Sequence, residues 1–172
     1  MAKTVIKLDL SEEGIDKAIK EIEKYKKDFE EKCDTLCRRL AERIQEEAQK
    51  GFTGAIVDDL TEISGGARYA NVLVSYNKQG NGYVITANGE DAVWVEFGSG
   101  VHHNGTGTPN PYGTELGFSI GSFGVNGTKD KWAFSENGET KWSYGTPASM
   151  PMYNAVQSAL QDLDKLAKEV FG

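Results

Sequence analysis

An apolar stripe runs without a break through the first third of the chain. Between residues 12 and 50, hydrophobic side chains recur every three or four positions and charged side chains fill most of the positions between them. This spacing places the hydrophobic residues on one side of an α-helix. The members of the stripe are Ile15, Ala18, Ile19, Ile22, Tyr25, Phe29, Cys33, Leu36, Cys37, Leu40, Ile44 and Ala48. The pattern therefore predicts one helix of about 37 residues, roughly 55 Å long.

Local signals mark both ends of this predicted helix. Ser11 is a suitable N-cap, and Glu12 and Glu13 follow it in the first turn, where acidic residues are favoured. Lys50 followed by Gly51 predicts the C-terminal stop. A rod of this length exceeds what a compact domain of 172 residues needs. We therefore expect part of the helix to extend from the domain and to contact another chain.

The middle of the chain changes to strand-like patterns. Residues 69–76 and 83–87 are rich in β-branched and aromatic side chains, and turn-forming residues occupy 77–82, so a β-hairpin is expected. Residues 91–97 fit either a helix or a strand. Residues 98–127 are rich in glycine and show no periodic apolar pattern, which is typical of a functional or mobile loop.

A second hairpin is predicted around Asn137-Gly138, the dipeptide that most favours a two-residue β-turn. A turn of that length pairs Phe134 with Lys141 across the strands. Because side chains alternate along a strand, two aromatic residues would lie on each face of this ribbon. The aromatic residues are Trp132, Phe134, Trp142 and Tyr144.

The chain closes with a second helical pattern, which starts at Pro151, a residue suited to the first helical position. Its apolar face consists of Met152, Val156, Ala159, Leu160, Leu163, Leu166, Ala167 and Val170. The order of elements predicts an α+β fold. A long N-terminal helix and a C-terminal helix would pack on a small, mainly antiparallel sheet, with a glycine-rich loop and an inserted hairpin, all in one domain spanning residues 1–172.

Charge and composition exclude several classes of protein. The chain has 19 basic and 26 acidic residues, a net charge of −7 and a pI near 4.9, which disfavours binding to a nucleic-acid backbone. No apolar run approaches the ~20 residues that span a bilayer, and the first residues lack a signal-peptide pattern. Two cysteines cannot build a disulfide framework. We expect a soluble protein made in the cytosol, with neither a membrane partner nor a sequence-specific nucleic-acid partner.

One short motif suggests hydrolase chemistry. Residues 117–121 match the G-x-S-x-G pattern, with Ser119 at the nucleophile position. That motif requires a helix after the serine, and residues 122–127 show no helical pattern. A histidine is also expected downstream, whereas His102 and His103 both lie upstream. The sequence therefore predicts no catalytic residue.

Metal binding is not expected either. Adjacent histidines on an extended segment point in opposite directions, and a metal site would need two further ligands near one of them. Cys33 and Cys37 lie one turn apart on the helix and could chelate a metal. Both belong to the apolar stripe, however, where a free cysteine packs as a small hydrophobic residue. No metal ligand and no cofactor is predicted.

Two segments resemble the signatures of a phage family. Residues 94–100, Trp-Val-Glu-Phe-Gly-Ser-Gly, resemble its "(Y/W)VEFG(T/S)G" motif. Residues 145–155 resemble its second motif, in which a proline, a large apolar residue and then an alanine open the last helix. The chain is thus similar to the gene-product-ten-like neck or tail-completion family of long-tailed bacteriophages. The similarity extends over most of the chain, with residues 101–144 as a probable variable insertion.

The resemblance implies a non-enzymatic structural protein of the virion, located at the head–tail junction and made in the bacterial host cytoplasm. It implies a ring of six copies that binds the connector or head-closure protein and the tail-tube or tail-terminator protein. The predicted interface residues are Glu96, Phe97, Gly98, Trp132, Phe134, Trp142 and Tyr144. The alternative is a free-standing binding module that uses the aromatic hairpin for carbohydrate or protein.

Overall fold

The computed structural model describes residues 9, 11–58, 67–99, 108–118, 132–143 and 145–172. The first element, α1, is a helix of 43 residues, Glu12–Gly54. Its start is the predicted one, because the Ser11 side chain accepts a hydrogen bond of 3.2 Å from the Gly14 amide. Satisfying a free amide in the first turn is the usual role of an N-cap serine.

The predicted stop at Lys50-Gly51 is wrong, since α1 continues to Gly54. Gly51 is the point at which α1 meets the first residue of the later helix: a Cβ atom there would lie 2.8 Å from the Cβ atom of Pro151. One residue further on, Phe52 is fully buried. Tertiary packing therefore keeps the chain helical beyond Gly51, although glycine by itself disfavours a helix.

The described strands form three separate antiparallel pairs, where the sequence predicted one small sheet. β1 pairs with β2, β3 with β4, and β5 with β6. Their bounds are Ile56–Asp58, Ala67–Tyr69, Leu73–Gln79, Gly82–Asn88, Trp132–Glu136 and Glu139–Ser143. The strand predicted over residues 69–76 is divided between β2 and β3, because its two parts pair with different partners. Tyr69 lies opposite Ile56 of β1, and Ala70 next to it donates its amide to the Ala55 carbonyl at 2.9 Å, whereas residues from Leu73 onward pair with β4.

Three shorter helices complete the described fold. They are α2, Ala92–Phe97; α3, Pro151–Gln161; and α4, Leu163–Phe171. The ambiguous residues 91–97 are thus mainly helical, and the single predicted C-terminal helix is divided in two at Asp162. The combination of long helix, C-terminal helices and small antiparallel sheets confirms the α+β class.

The second hairpin has the predicted register. Phe134 lies opposite Lys141, and Trp132 lies opposite Ser143. Both turn residues have positive φ angles, 52° at Asn137 and 83° at Gly138, as a two-residue turn between antiparallel strands requires. The backbone of this hairpin is described without its strand side chains, and Tyr144 lies outside the described residues.

The core brings buried residues of the C-terminal half of α1 together with buried residues in or next to β1, β3, α2 and α3. Its buried residues are Ala48, Phe52, Ala55, Val57, Val72, Val74, Val95 and Ala155. Gln49 satisfies the backbone of β3 beside this core, accepting from the Val74 amide at 2.8 Å and donating to the Val72 carbonyl at 3.0 Å. Gln45 donates to the Val74 carbonyl at 3.1 Å. Side-chain amides of α1 therefore replace a neighbouring strand at this edge.

Candidate functional site

Glu96, near the end of α2, is buried and accepts three hydrogen bonds from two other segments of the described chain. Its carboxylate accepts hydrogen bonds from the backbone amides of Met152 at 2.8 Å and Tyr153 at 3.0 Å. A third hydrogen bond of 2.9 Å comes from the side-chain amide of Asn110. Met152 and Tyr153 belong to the first turn of α3, where no residue of the helix itself can accept from these amides. Glu96 is therefore an N-terminal cap supplied from another helix.

The pKa of the Glu96 carboxyl is raised above its ordinary value, although two opposing effects act on it. Burial raises the pKa of the carboxyl above its ordinary value, and the hydrogen bonds from Met152, Tyr153 and Asn110 act against that rise. The start of α3 also carries a partial positive charge from the aligned peptide dipoles, which favours an anion there. The local cap is missing, because the residue before α3, Met150, is in the left-handed conformation and makes no side-chain capping bond. Glu96 takes its place.

The backbone around Glu96 is joined to the same segment. The Val95 carbonyl accepts from the amides of Ser149 at 2.9 Å and Met150 at 3.3 Å. The Ser99 amide donates to the Thr146 carbonyl at 2.8 Å, and the Thr146 amide donates to the Ser99 hydroxyl at 3.0 Å. Residues 95–99 and 146–153 thus form one hydrogen-bonded unit, which we call the Glu96 junction.

Gly98 is required by the geometry of this junction. Its φ angle is +76°, which L-residues with a side chain rarely adopt. A Cβ atom at this position would lie 3.0 Å from the Ala148 nitrogen and 3.1 Å from the Thr146 oxygen. The glycine of the first motif therefore allows the chain to turn against the second motif.

A cavity of about 400 Å³ lies beside Glu96, between α1, β4, α2, α3 and residues 110–116. Its wall is mainly apolar and includes Phe52, Val93, Phe97, Leu116, Met152 and Val156. On its rim, the Phe97 ring stacks on Phe118 with 4.2 Å between ring centroids. Because the oxygens of Glu96 already accept three hydrogen bonds, the cavity suits an apolar group better than a reaction that needs a free carboxylate.

The predicted interface residues divide into two groups. Glu96, Phe97 and Gly98 come together at the Glu96 junction, and their part in an interface stays a prediction. Trp132, Phe134 and Trp142 lie on the second hairpin, whose side chains are not described, and Tyr144 lies outside the described residues.

The structure describes only some of the residues that were considered for catalysis or metal binding. Ser119, His102 and His103 lie outside the described residues. Cys33 and Cys37 are free and half-buried. In the part of the chain that the structure describes, no group of three or more histidine, cysteine, aspartate or glutamate residues could hold a metal ion. No helix in that part is long and apolar enough to cross a membrane.

Two polar contributors were missed by the sequence analysis. Asn110 lies in the glycine-rich segment, where the available signal was the turn-forming Asn-Pro dipeptide. Asp91, directly before α2, accepts two hydrogen bonds from the Arg68 guanidinium at 2.7 and 2.8 Å and one from the Asn71 amide at 2.8 Å. This pair fixes the start of α2 against β2, and no local pattern connects its two members.

Comparisons with known proteins give no relative for this chain. No family model matches it, and no curated protein and no solved structure shows significant similarity to it.

Proposed function

We propose that this chain is a structural subunit of a bacteriophage virion, located at the head–tail junction and assembled as a ring. The proposal starts from the two motifs that resemble the neck or tail-completion family. The observation that carries it is the Glu96 junction, in which these motifs touch although more than forty residues separate them. Two unrelated chance matches would have no reason to meet.

Three residues of the motifs have a physical role in that contact. The glutamate caps α3 through the amides of Met152 and Tyr153, the glycine at Gly98 permits the close approach, and Pro151 opens the capped helix. The two motifs that carry the resemblance therefore belong to one structural unit, the Glu96 junction. This supports a shared fold, from which the virion role is inferred by analogy.

The composition suits such a subunit. A net charge of −7 would keep unassembled copies apart and in solution until a neighbouring protein binds them. The proposed neighbours are further copies of the chain, the connector or head-closure protein and the tail-tube or tail-terminator protein. A ring repeats one heterologous contact until it closes, so each subunit needs two different surfaces. The aromatic hairpin is our candidate for one of them.

The test is native mass spectrometry of the full chain, alone and mixed with the connector and tail-tube proteins of the same phage. We expect a closed ring, of six copies, in at least one of these mixtures. The double variant Trp132→Ala, Trp142→Ala should stay folded and monomeric. A chain that remains monomeric with every neighbouring protein would contradict the proposal, and binding of soluble oligosaccharides by the hairpin would favour the alternative of a free-standing binding module.

A further inference from the structure

The N-terminal half of α1 leaves the large side chains of its apolar stripe exposed. Five large side chains on one face have between 42% and 55% of their surface accessible: Ile15, Ile19, Ile22, Tyr25 and Phe29. Further along the same helix, Ala41, Ala48 and Phe52 are at most 2% accessible. Apart from Ala18, which is 6% accessible, the stripe is half-exposed in the first half of the helix and half-buried or buried in the second half.

The packing of α1 against the described fold begins at Phe29. The Phe29 ring lies 5.7 Å from that of Phe171 in α4, and beyond it Asp34 pairs with Lys78 of β3 at 2.5 Å. Among the described residues, every hydrogen bond, ion pair and ring contact of α1 with another strand or helix involves Phe29 or a later residue. Residues 12–28 therefore extend for about 25 Å with an apolar face that these contacts do not use.

The charged residues that flank this face between residues 12 and 29 are acidic. With 100° of rotation per residue, both flanks of the stripe centred on Ile22 are acidic. Within residues 12–29, one flank carries Glu12, Asp16 and Glu23, and the other carries Glu21 and Asp28. Just beyond them, Glu30 continues the first flank and Lys32 ends the second. The lysines lie mainly on the opposite side of the helix, at Lys17, Lys20, Lys24 and Lys27. The exception is Lys26, which lies inside the stripe and reaches Glu30 at 3.9 Å.

This distribution selects the kind of partner. When two helices pack along their apolar stripes, the flanks of one face the flanks of the other in either relative direction. A second copy of this chain would place carboxylates against carboxylates on both sides, an arrangement that opposes pairing. A helix with basic flanks would place an opposite charge there instead.

We propose that residues 12–29 of α1 form a docking surface for an amphipathic helix of another protein, whose apolar stripe is flanked by lysine and arginine residues. Ile15, Ile22 and Phe29 are spaced seven residues apart, as in helices that supercoil around a partner. The apolar contacts would provide most of the binding free energy, and the acidic flanks would determine which partner helix binds. The proposal is independent of the virion function, because it stands on this helix alone.

The experiment uses the full chain and two synthetic helical peptides. Both peptides carry the same isoleucine and leucine stripe; one has lysine at the flanking positions and the other has glutamate. Fluorescence anisotropy should show the lysine peptide binding at least tenfold more tightly, with a preference that shrinks as salt is raised. The double charge reversal Glu21→Lys, Glu23→Lys should weaken or invert that preference.

Two variants test the site itself. Ile22→Asp should abolish binding of the lysine peptide while the thermal unfolding of the chain stays as in the wild type, because Ile22 is exposed in the fold. Lys20→Asp introduces the same residue on the opposite side of the helix and should leave binding within about twofold.

Three results would overturn the proposal. Equal affinity for the two peptides would mean that the flanks do not select the partner. Binding of neither peptide would mean that the face is not a helix-docking surface. Self-association of the wild type in analytical ultracentrifugation that is lost in Ile22→Asp would show that a second copy occupies the face. Ring formation at the aromatic hairpin is measured separately, so failure of one proposal leaves the other standing.

Discussion

Removal of the Glu96 carboxylate tests directly whether this side chain stabilises the fold by capping α3. Glu96→Ala deletes the acceptor of three hydrogen bonds, those from the amides of Met152 and Tyr153 and from the side chain of Asn110. Glu96→Gln is a milder change of nearly equal size. It keeps one oxygen, and its amide group would face a backbone N–H, donor against donor.

The expected loss follows from these contacts. Loss of a helix cap costs about 1–2 kcal/mol. The Asn110 amide, 5% accessible as a residue, would be left without an acceptor, which adds about 1–3 kcal/mol. We expect Glu96→Ala to lower the free energy of unfolding by about 3 kcal/mol in total. Glu96→Gln should lower it by about 1–2 kcal/mol, because part of the network survives.

Urea unfolding at neutral pH measures both changes, with Glu90→Ala as the matched control. Glu90 is exposed, so its loss should change the free energy of unfolding by less than about 0.5 kcal/mol. Hydrogen exchange adds a local reading, since the amides of Met152 and Tyr153 should exchange faster in Glu96→Ala. If Glu96→Ala unfolds like the control and both amides keep their protection, the capping role of Glu96 is wrong.

Two further predictions concern the ends of α1 and α2. Gly51→Ala should lower the free energy of unfolding by about 1–3 kcal/mol, because the new Cβ atom would meet Pro151. Gly54→Ala is the control: open space surrounds Gly54, so in the same urea assay this variant should be neutral or stabilising by up to about 1 kcal/mol. The Arg68 guanidinium holds the pKa of Asp91 below its ordinary value of 3.8, so this pair stabilises the fold above that pH and the contribution is lost as the pH falls through the lowered pKa. Stability measured between pH 6 and pH 2 should therefore fall less steeply in Asp91→Asn; an unchanged acid limb would contradict the pairing.

Features set by neighbouring residues were predictable from the sequence. The start of α1 follows from Ser11 and the acidic residues after it, and the register of the second hairpin follows from Asn137-Gly138. Both depend on hydrogen bonds within a few residues, and the sequence shows all of the participants.

Features set by distant contacts were not predictable. The end of α1 depends on Pro151, about a hundred residues away, so the local glycine gave the wrong stop. Residues 91–97 are helical because Asp91 is held by Arg68 and Glu96 meets α3, and neither partner is visible in the local pattern. The motif that contains Glu96 can be identified in the sequence. Its role in capping another helix depends on contacts with residues far away in the sequence, which the motif does not show.

The first residue of α3 connects the two surfaces on which the proposals rest. Pro151 contacts Gly51 of α1, while the amides just after it are held by Glu96 of α2. The covered half of α1 is thereby fixed to the Glu96 junction, and between residues 15 and 50 the helix contains neither glycine nor proline. Nothing in that sequence provides a hinge. The exposed half is consequently presented in a fixed direction, and a preorganised surface loses little conformational entropy when a partner binds. For this reason we expect the proposed docking of a partner helix to need only this one helical face, with its five half-exposed side chains.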